Sequence, residues 1–387
     1  MAVTYIPSQL EAPSQASLTL RSSPTRLLLN DLKLIVTLAR WIPQIFLPLR
    51  SRSKYAESHP TLANLRDLVL HATLLVLTPT FFITGARVAL LFPGWISSVY
   101  LLVFTALLLM LSIPLNAGPR ILHSKTFYPP HPGERWLFVN GVCAGTTRLQ
   151  ENLDSISSIF HRPIVGIHNR TYGLVFDLLE CMAQRDFGYM TGDIRATYNK
   201  IKEVLLEDGV EKVVVLAHSQ GGLIVGATVD ALCADLPPAT LERLEIYTFG
   251  NAANHFSNPP RCVHVHNANG SQTTLSNYPS ATKRQIPIIE HYANQKDFVA
   301  NLGVLNFVRT KEENEFVGKV FVWLEKGGHL FWEHYLEPMF GEDSVRFLDQ
   351  RVTVETVEEL QGDEGKTVRK LSTLWWYKDG GVPPGEA

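Results

Sequence analysis

The stretch Val213–Ile224, VVVLAHSQGGLI, decides the fold. Val213 to Ala217 are uninterruptedly apolar, which fits a strand covered on both faces; a half-exposed strand would alternate with polar residues. A helix is predicted to follow at once, over Gly222–Cys233. Between the two stands Ala217-His218-Ser219-Gln220-Gly221. A serine on a strained strand-to-helix turn needs small neighbours two positions to either side, and Ala217 and Gly221 meet that need. The helix N-terminus behind Ser219 directs N–H groups and a positive dipole end at any negative charge that develops there.

Outward from this stretch, short apolar runs alternate with helical periodicity. Strands are expected at Arg135–Asn140, Pro163–His168, Leu244–Phe249, Ile286–Tyr292 and Val317–Trp323. Helices are expected at Thr147–Phe160, Leu174–Gln184 and Gly192–Glu207. Such alternation predicts an α/β domain with a mostly parallel central sheet and helices on both faces.

In this context Ala217–Gly221 resembles the nucleophile elbow, G-x-S-x-G, of the α/β-hydrolase superfamily, with Ala217 in place of the first glycine. The resemblance covers roughly residues 130–345. It implies the α/β-hydrolase fold, Ser219 as nucleophile, and a triad in the chain order Ser, Asp/Glu, His. Asp297, just past the Ile286–Tyr292 strand and before apolar residues that open a helix, matches the family's acid position. Glu290, inside that strand, and Asp235 are its rivals. His329, in the Gly-rich Lys326-Gly327-Gly328-His329 loop after the last core strand, matches the base, with His334 as its rival. For the oxyanion hole the family implies the N–H of Gln220 and a second N–H from the loop after Val139, that of Gly141 or Val142. Asn140-Gly141 stands where lipase-like relatives often carry His-Gly; Asn140 either assists through its side chain or caps the loop. The family is catalytically broad, so the resemblance does not fix a substrate.

The N-terminal third is of another character. Leu68–Ala86 is a 19-residue stretch without Asp, Glu, Lys or Arg, and no such residue occurs from Val88 to Pro119. Pro93-Gly94 interrupts the second stretch, leaving Trp95–Ala117. A membrane span needs about 20 apolar residues, so two transmembrane helices in a hairpin are predicted, with Trp95 and Tyr100 at one interface. Eight Lys/Arg precede Asp67, which by the positive-inside rule places both ends of the hairpin in the cytosol. Leu32–Leu49, interrupted by Arg40, Pro43 and Pro48, reads as an interfacial helix. The expected organisation is a basic segment (1–67), the hairpin (68–118), a catalytic domain (119–350) and a tail (351–387). In the tail, Val352–Val354 is a candidate edge strand, and Leu371–Tyr377 is expected to pack on the domain surface.

Composition narrows the function. Of 387 residues 45% are hydrophobic and 19% charged, and 35 Lys+Arg stand against 37 Asp+Glu. That balance excludes wholesale disorder and gives no global field for nucleic acid. The four cysteines form no C-x-x-C pair, and H-E-x-x-H, Walker and dinucleotide motifs are missing; no metal and no cofactor is expected. Asn169-Arg170-Thr171 and Asn269-Gly270-Ser271 match the glycosylation sequon. The expected function is a membrane-anchored serine esterase or lipase-like hydrolase, cleaving a carboxylic ester (or thioester or amide) of a small apolar substrate through an acyl-enzyme. The partners expected are that substrate and the lipid bilayer. The expected location is the endoplasmic reticulum membrane, spanned twice, with the catalytic domain facing the cytosol. An acyltransferase on the same triad, for which no H-x-x-x-x-D signature is present, and a non-catalytic membrane scaffold are the alternatives.

Overall fold

A computed structural model describes residues 2–8, 23–49, 53–259, 263–266, 272–275, 284–309, 316–342, 345–355 and 365–384; for 263–266 and 272–275 the description is of the backbone. The strands are β1 (Val3–Ile6), β2 (Ile121–His123), β3 (Glu134–Val139), β4 (Ile164–Ile167), β5 (Lys212–His218), β6 (Leu244–Phe249), β7 (Val263–His266), β8 (Gln272–Leu275), β9 (Ile288–Asn294), β10 (Lys319–Trp323) and β11 (Val352–Val354). The longer helices are α1 (Pro24–Leu38), α2 (Leu62–Leu91), α3 (Gly94–Ser112), α4 (Thr146–Phe160), α5 (Leu174–Asp186), α6 (Gly192–Leu205) and α7 (Gln220–Asp235).

The chain is α/β. Nine strands form one mixed, mostly parallel sheet in the order β11-β1-β10-β9-β6-β5-β3-β4-β2, and β7 and β8 pair separately. Across that sheet, every ladder in the run β4-β3-β5-β6-β9-β10 is parallel; β1 on β10 and β2 on β4 run antiparallel, as does the separate β7–β8 pair. The continuous apolar run of β5 explains why both faces are covered. Val213, Val215 and Ala217 enter one core with residues of α6 and α7. Val214 and Leu216 enter the other with α4 and the turn Phe331–Leu336. The chain leaves β3 for β4 on one side of the sheet and leaves β5 for β6 on the other. The loops after β3 and β5 therefore diverge at the carboxyl ends of adjacent strands, where open α/β sheets form their binding crevice.

The sheet crosses the domain boundaries read from sequence. Val3–Ile6, expected within a separate basic segment, lies between β10 and β11 with Val3, Tyr5 and Ile6 buried. A strand of four residues is too short for its periodicity to declare it, and only its neighbours fix its place. Val352–Val354 is the edge strand. The segment Leu371–Tyr377 does pack on the domain: the Tyr377 hydroxyl donates to Glu245 Oε2 at 2.8 Å, and Thr373 N–H donates to Glu290 Oε1 at 2.8 Å. Leu32–Leu49, read as one interfacial helix, is instead the end of α1 followed by a 3-10 helix over Ala39–Ile45.

The helices α2 and α3 are long and apolar enough to span a membrane. At 1.5 Å per residue they extend about 45 Å and 28 Å, against about 30 Å of hydrocarbon. Only 11% and 6% of their most apolar windows are buried in the rest of the chain, where a soluble core helix would be mostly covered. They pair as a hairpin: Tyr100 stacks on Phe81 and its hydroxyl donates to Phe81 O at 3.1 Å. Tyr100 is thus a residue of the seam, whereas Trp95 is exposed at the turn.

Candidate active site

Ser219 occupies the sharp junction of β5 and α7. Its φ of 60° and ψ of −124° lie where a non-glycine residue carries roughly 1–3 kcal/mol of strain. The surrounding backbone holds it there. Ser219 N–H donates to Phe249 O at 3.0 Å, and its carbonyl accepts from Gly222 and Ala252 at 3.0 and 3.2 Å. Small neighbours are required by contact. A Cβ on Gly221 would stand 2.3 Å from Val139 O, and one on Gly141 would stand 2.5 Å from Ser219 Cβ. Ala217, fully buried and opposite Val139 of β3 and Thr248 of β6, fits between neighbouring strands.

Asp297 and His329 come together. Asp297 follows β9 by three residues (297 − 294) and is fully buried. Its Oδ2 accepts from His329 Nδ1 at 2.7 Å and from the Tyr335 hydroxyl, and its Oδ1 accepts from Val299 N–H at 2.8 Å. With Nδ1 donating, His329 carries its lone pair on Nε2. That atom is buried and has no hydrogen-bond partner among the described residues. The imidazole sits at the elbow: its ring stacks on His218 at 4.7 Å, and its carbonyl accepts from His218 Nε2 at 2.8 Å. Burial, reinforced by His329, holds His218 well below the ordinary histidine pKa, which suits a neutral ring donating to that carbonyl. Ser219 Oγ makes no hydrogen bond to His329 among the described residues; such bonds are often long in unliganded sites.

The rivals are placed elsewhere. Glu290 is buried near the amino end of β9, bonded to Tyr292 and Thr373. Asp235 is an exposed partner of Lys202. His334 accepts from Leu330 N–H at 2.9 Å and donates to Pro48 O at 3.0 Å, while burial lowers its pKa.

The N–H groups expected to form the oxyanion hole belong to residues beside Ser219: Gln220 follows it, and Gly141 lies against it, a Cβ there standing 2.5 Å from Ser219 Cβ. Gln220 is the first residue of α7, where an N–H has no intrahelical acceptor. The N–H groups of Gly141 and Val142 donate to no acceptor among the described residues. Asn140 caps the loop: its Oδ1 accepts from Asn169 N–H at 2.8 Å and its Nδ2 donates to Asn169 O at 2.9 Å. Asn169 Nδ2 in turn donates to Gln220 Oε1, and Gln220 Nε2 to Gln184 Oε1. This amide chain, like Tyr335, has no signal in the sequence, because its members come from four separate segments. Gly250 is another residue that the sequence did not mark. At φ 55° it brings its backbone so close that a Cβ would lie 2.9 Å from Asp297 Oδ2 and from His329 Nδ1.

A roof from the N-terminal segment covers the site. His329 N–H donates to Ile45 O at 3.2 Å. Asp31 of α1 pairs with Arg185 of α5 at 2.6 Å, and Arg185 also donates to the carbonyls of Ala252 and Leu302. Ser219 is left 3% exposed and His329 5%.

Among the described residues no group of three His, Cys, Asp or Glu is placed to hold a metal ion. Cys143, Cys181 and Cys233 are free and half-buried, and Cys262 lies outside the described residues. Compared with known protein families and with curated proteins, the chain matches none.

Proposed function

We propose that the chain is a membrane-anchored serine hydrolase of the α/β-hydrolase superfamily, cleaving a carboxylic ester of an apolar substrate. The observation that carries this reading is a buried Asp297–His329 pair whose free Nε2 lies at a strained serine elbow. The strand order β4-β3-β5-β6-β9-β10 and the chain order Ser219, Asp297, His329 support it.

The chemistry follows from the atoms present. His329 Nε2 takes the Ser219 hydroxyl proton as Oγ bonds to the substrate carbonyl carbon. Negative charge moves to the carbonyl oxygen, where the N–H groups of Gln220 and of Gly141 or Val142 stabilise it. Asp297 holds the imidazolium, which returns the proton to the departing alkoxide as the carbon–oxygen bond breaks. Water then attacks the acyl carbon as the same nitrogen takes its proton, and the nitrogen returns that proton to Oγ as the acyl–Oγ bond breaks, which frees the carboxylic acid and restores Ser219. The buried site excludes bulk water and strengthens each of these interactions. The basic flank of the hairpin favours a cytosolic domain, and the endoplasmic reticulum is the membrane proposed.

Fluorophosphonate labelling of the detergent-solubilised full chain tests the reading. Wild-type protein is expected to label at Ser219; Ser219→Ala is expected to lose labelling and at least 10³-fold in ester turnover, with its melting temperature preserved. Undiminished labelling of Ser219→Ala, or no labelling of wild type, overturns it.

A further inference from the structure

A cavity of about 610 Å3 lies between the hairpin and the domain, away from Ser219. Small-molecule sites typically fall within about 300–1,000 Å3. Its apolar lining includes Phe82 of α2, Leu101 and Leu108 of α3, and Phe176 of α5. Leu108 is buried there, whereas Phe82 and Leu101 are about half-exposed at the rim, on the face that a bilayer would cover. The lining also carries polar side chains: Glu180, Thr191 and Arg195. The lining therefore combines apolar side chains of α2, α3 and α5 with polar ones of α5 and of the first turn of α6 and the residue before it.

The charges in and beside this lining are unevenly satisfied. Asp193 is paired with Arg120 at 2.7 Å. Glu180 is pushed up to about 7 by burial, with Asp193 beside it, so part of the population is uncharged at neutral pH. Arg195 is exposed and forms no ion pair among the described residues. The guanidinium is thus the available charge, a fixed fork suited to carboxylate and phosphate oxygens.

We propose that this cavity binds a single-chain amphiphile with an anionic carboxylate or phosphate head, its chain between Phe82, Leu101, Leu108 and Phe176 and its head on Arg195. The site lies outside the Ser219 machinery and goes beyond the hydrolase reading. It is nonetheless connected to it: Thr191 Oγ1 accepts from Gln184 Nε2 at 2.8 Å, and Gln184 Oε1 accepts from Gln220 Nε2 at 3.0 Å. An acidic lipid, the product class of ester cleavage, would rest two side chains from the residue after the nucleophile.

The test uses full-length Ser219→Ala protein in detergent micelles, which excludes covalent acylation, and a diazirine analogue of oleic acid as photoprobe. Cross-links are expected on the segments carrying Phe82, Leu101 and Phe176. Oleate should compete if a carboxylate head suffices and oleoyl lysophosphatidate if a phosphate is preferred, with oleyl alcohol at least tenfold weaker than the better of the two. Arg195→Gln should weaken that competition about tenfold, the loss of one charge-assisted hydrogen bond. Leu101→Trp, a substitution at the exposed rim, should block cross-linking without lowering the melting temperature. Cross-links that map elsewhere, survive Leu101→Trp, or are displaced equally by oleyl alcohol would overturn the proposal. Fluorophosphonate labelling of wild type is read separately, so failure of the hydrolase reading leaves these outcomes unchanged.

Discussion

At the scale of single residues, two side chains test the electrostatics around Asp297. The Tyr335 hydroxyl donates to Asp297 Oδ2 and accepts from Asn294 N–H at 3.2 Å. It touches no reacting atom in the proposed mechanism and acts as a positioning residue. Tyr335→Phe removes one hydrogen bond to a buried carboxylate, so kcat should fall roughly tenfold with KM little changed. Asp297→Asn should cost on the order of 10⁴ in kcat, because the amide cannot stabilise the imidazolium. Glu290→Gln, at the other end of β9, should lower the melting temperature and leave kcat alone; if it loses more activity than Asp297→Asn while folded, the acid is misassigned. Asp186 supplies a test of stability. Both of its carboxyl oxygens are buried without a donor among the described residues. Burial, with Asp31 nearby, pushes its pKa up to about 7. The folded state therefore holds a proton that the unfolded chain has released by about pH 4–5, and stability falls as pH rises from there through about 7. Asp186→Asn is expected to stabilise the protein by roughly 1–3 kcal/mol at pH 8 and much less at pH 5. Thermal melts at the two values decide it, and an equal gain at both would refute the linkage.

At the scale of elements, the N-terminal segment belongs to the domain. Three contacts tie it there: β1 between β10 and β11, Asp31 to Arg185, and Ile45 O to His329 N–H. Removing residues 1–118 therefore takes an interior strand, the one that joins β11 to the sheet, and the roof together with the hairpin. Burial of Val3, Tyr5 and Ile6 alone is worth roughly 1.5–3 kcal/mol for each large side chain. The truncated chain is expected to be insoluble and unlabelled by fluorophosphonate; a soluble, labelled fragment would show that β1 and the roof are dispensable. What the sequence reveals and what it withholds divide along the same line. The elbow, Asp297 and His329 are legible because each lies at or shortly after the end of a long apolar strand, in the order the chain meets them. The two apolar helices are legible because their length and lack of charge are local properties. Four residues at Val3–Ile6 carry no period of their own. Tyr335, Gly250 and the chain Asn169–Gln220–Gln184 acquire their roles only when separate segments meet. The roof is the same kind of case: Leu32–Leu49 reads as interfacial, yet nothing in the sequence announces that Asp31, just before it, would meet Arg185, 154 residues further on.

At the scale of the whole molecule, the proposed membrane anchoring raises the question of which side of a bilayer the domain would occupy. The register of the hairpin is antiparallel, with Thr84 bonded to Tyr100 and Phe81 packed on Phe104, so both ends return to the same side. The ends are also tied to one domain: Gly173 lies against Leu74, and Thr146 N–H donates to Leu115 O at 2.7 Å. A hairpin of this form cannot place α1 and the sheet on opposite faces of a bilayer. In the proposed anchoring, orientation would depend on the basic residues before Asp67, and the positive-inside rule would then put the domain in the cytosol. Glycosylation at Asn169 is no guide to it. That side chain is buried and bonded to Gln220 at 2.6 Å, so the sequon stays unmodified in the folded protein on either side. Asn269 lies outside the described residues. Protease protection is the sharper measurement. Full-length protein is expected to resist alkaline carbonate extraction and to yield to detergent. In sealed microsomes, added protease should remove a C-terminal epitope tag directly, whereas a cleavage site inserted between Pro93 and Gly94 should be cut only after detergent opens the vesicles. The reverse pattern would put the domain in the lumen, and extraction of the intact chain by carbonate would show that α2 and α3 do not anchor it in the bilayer.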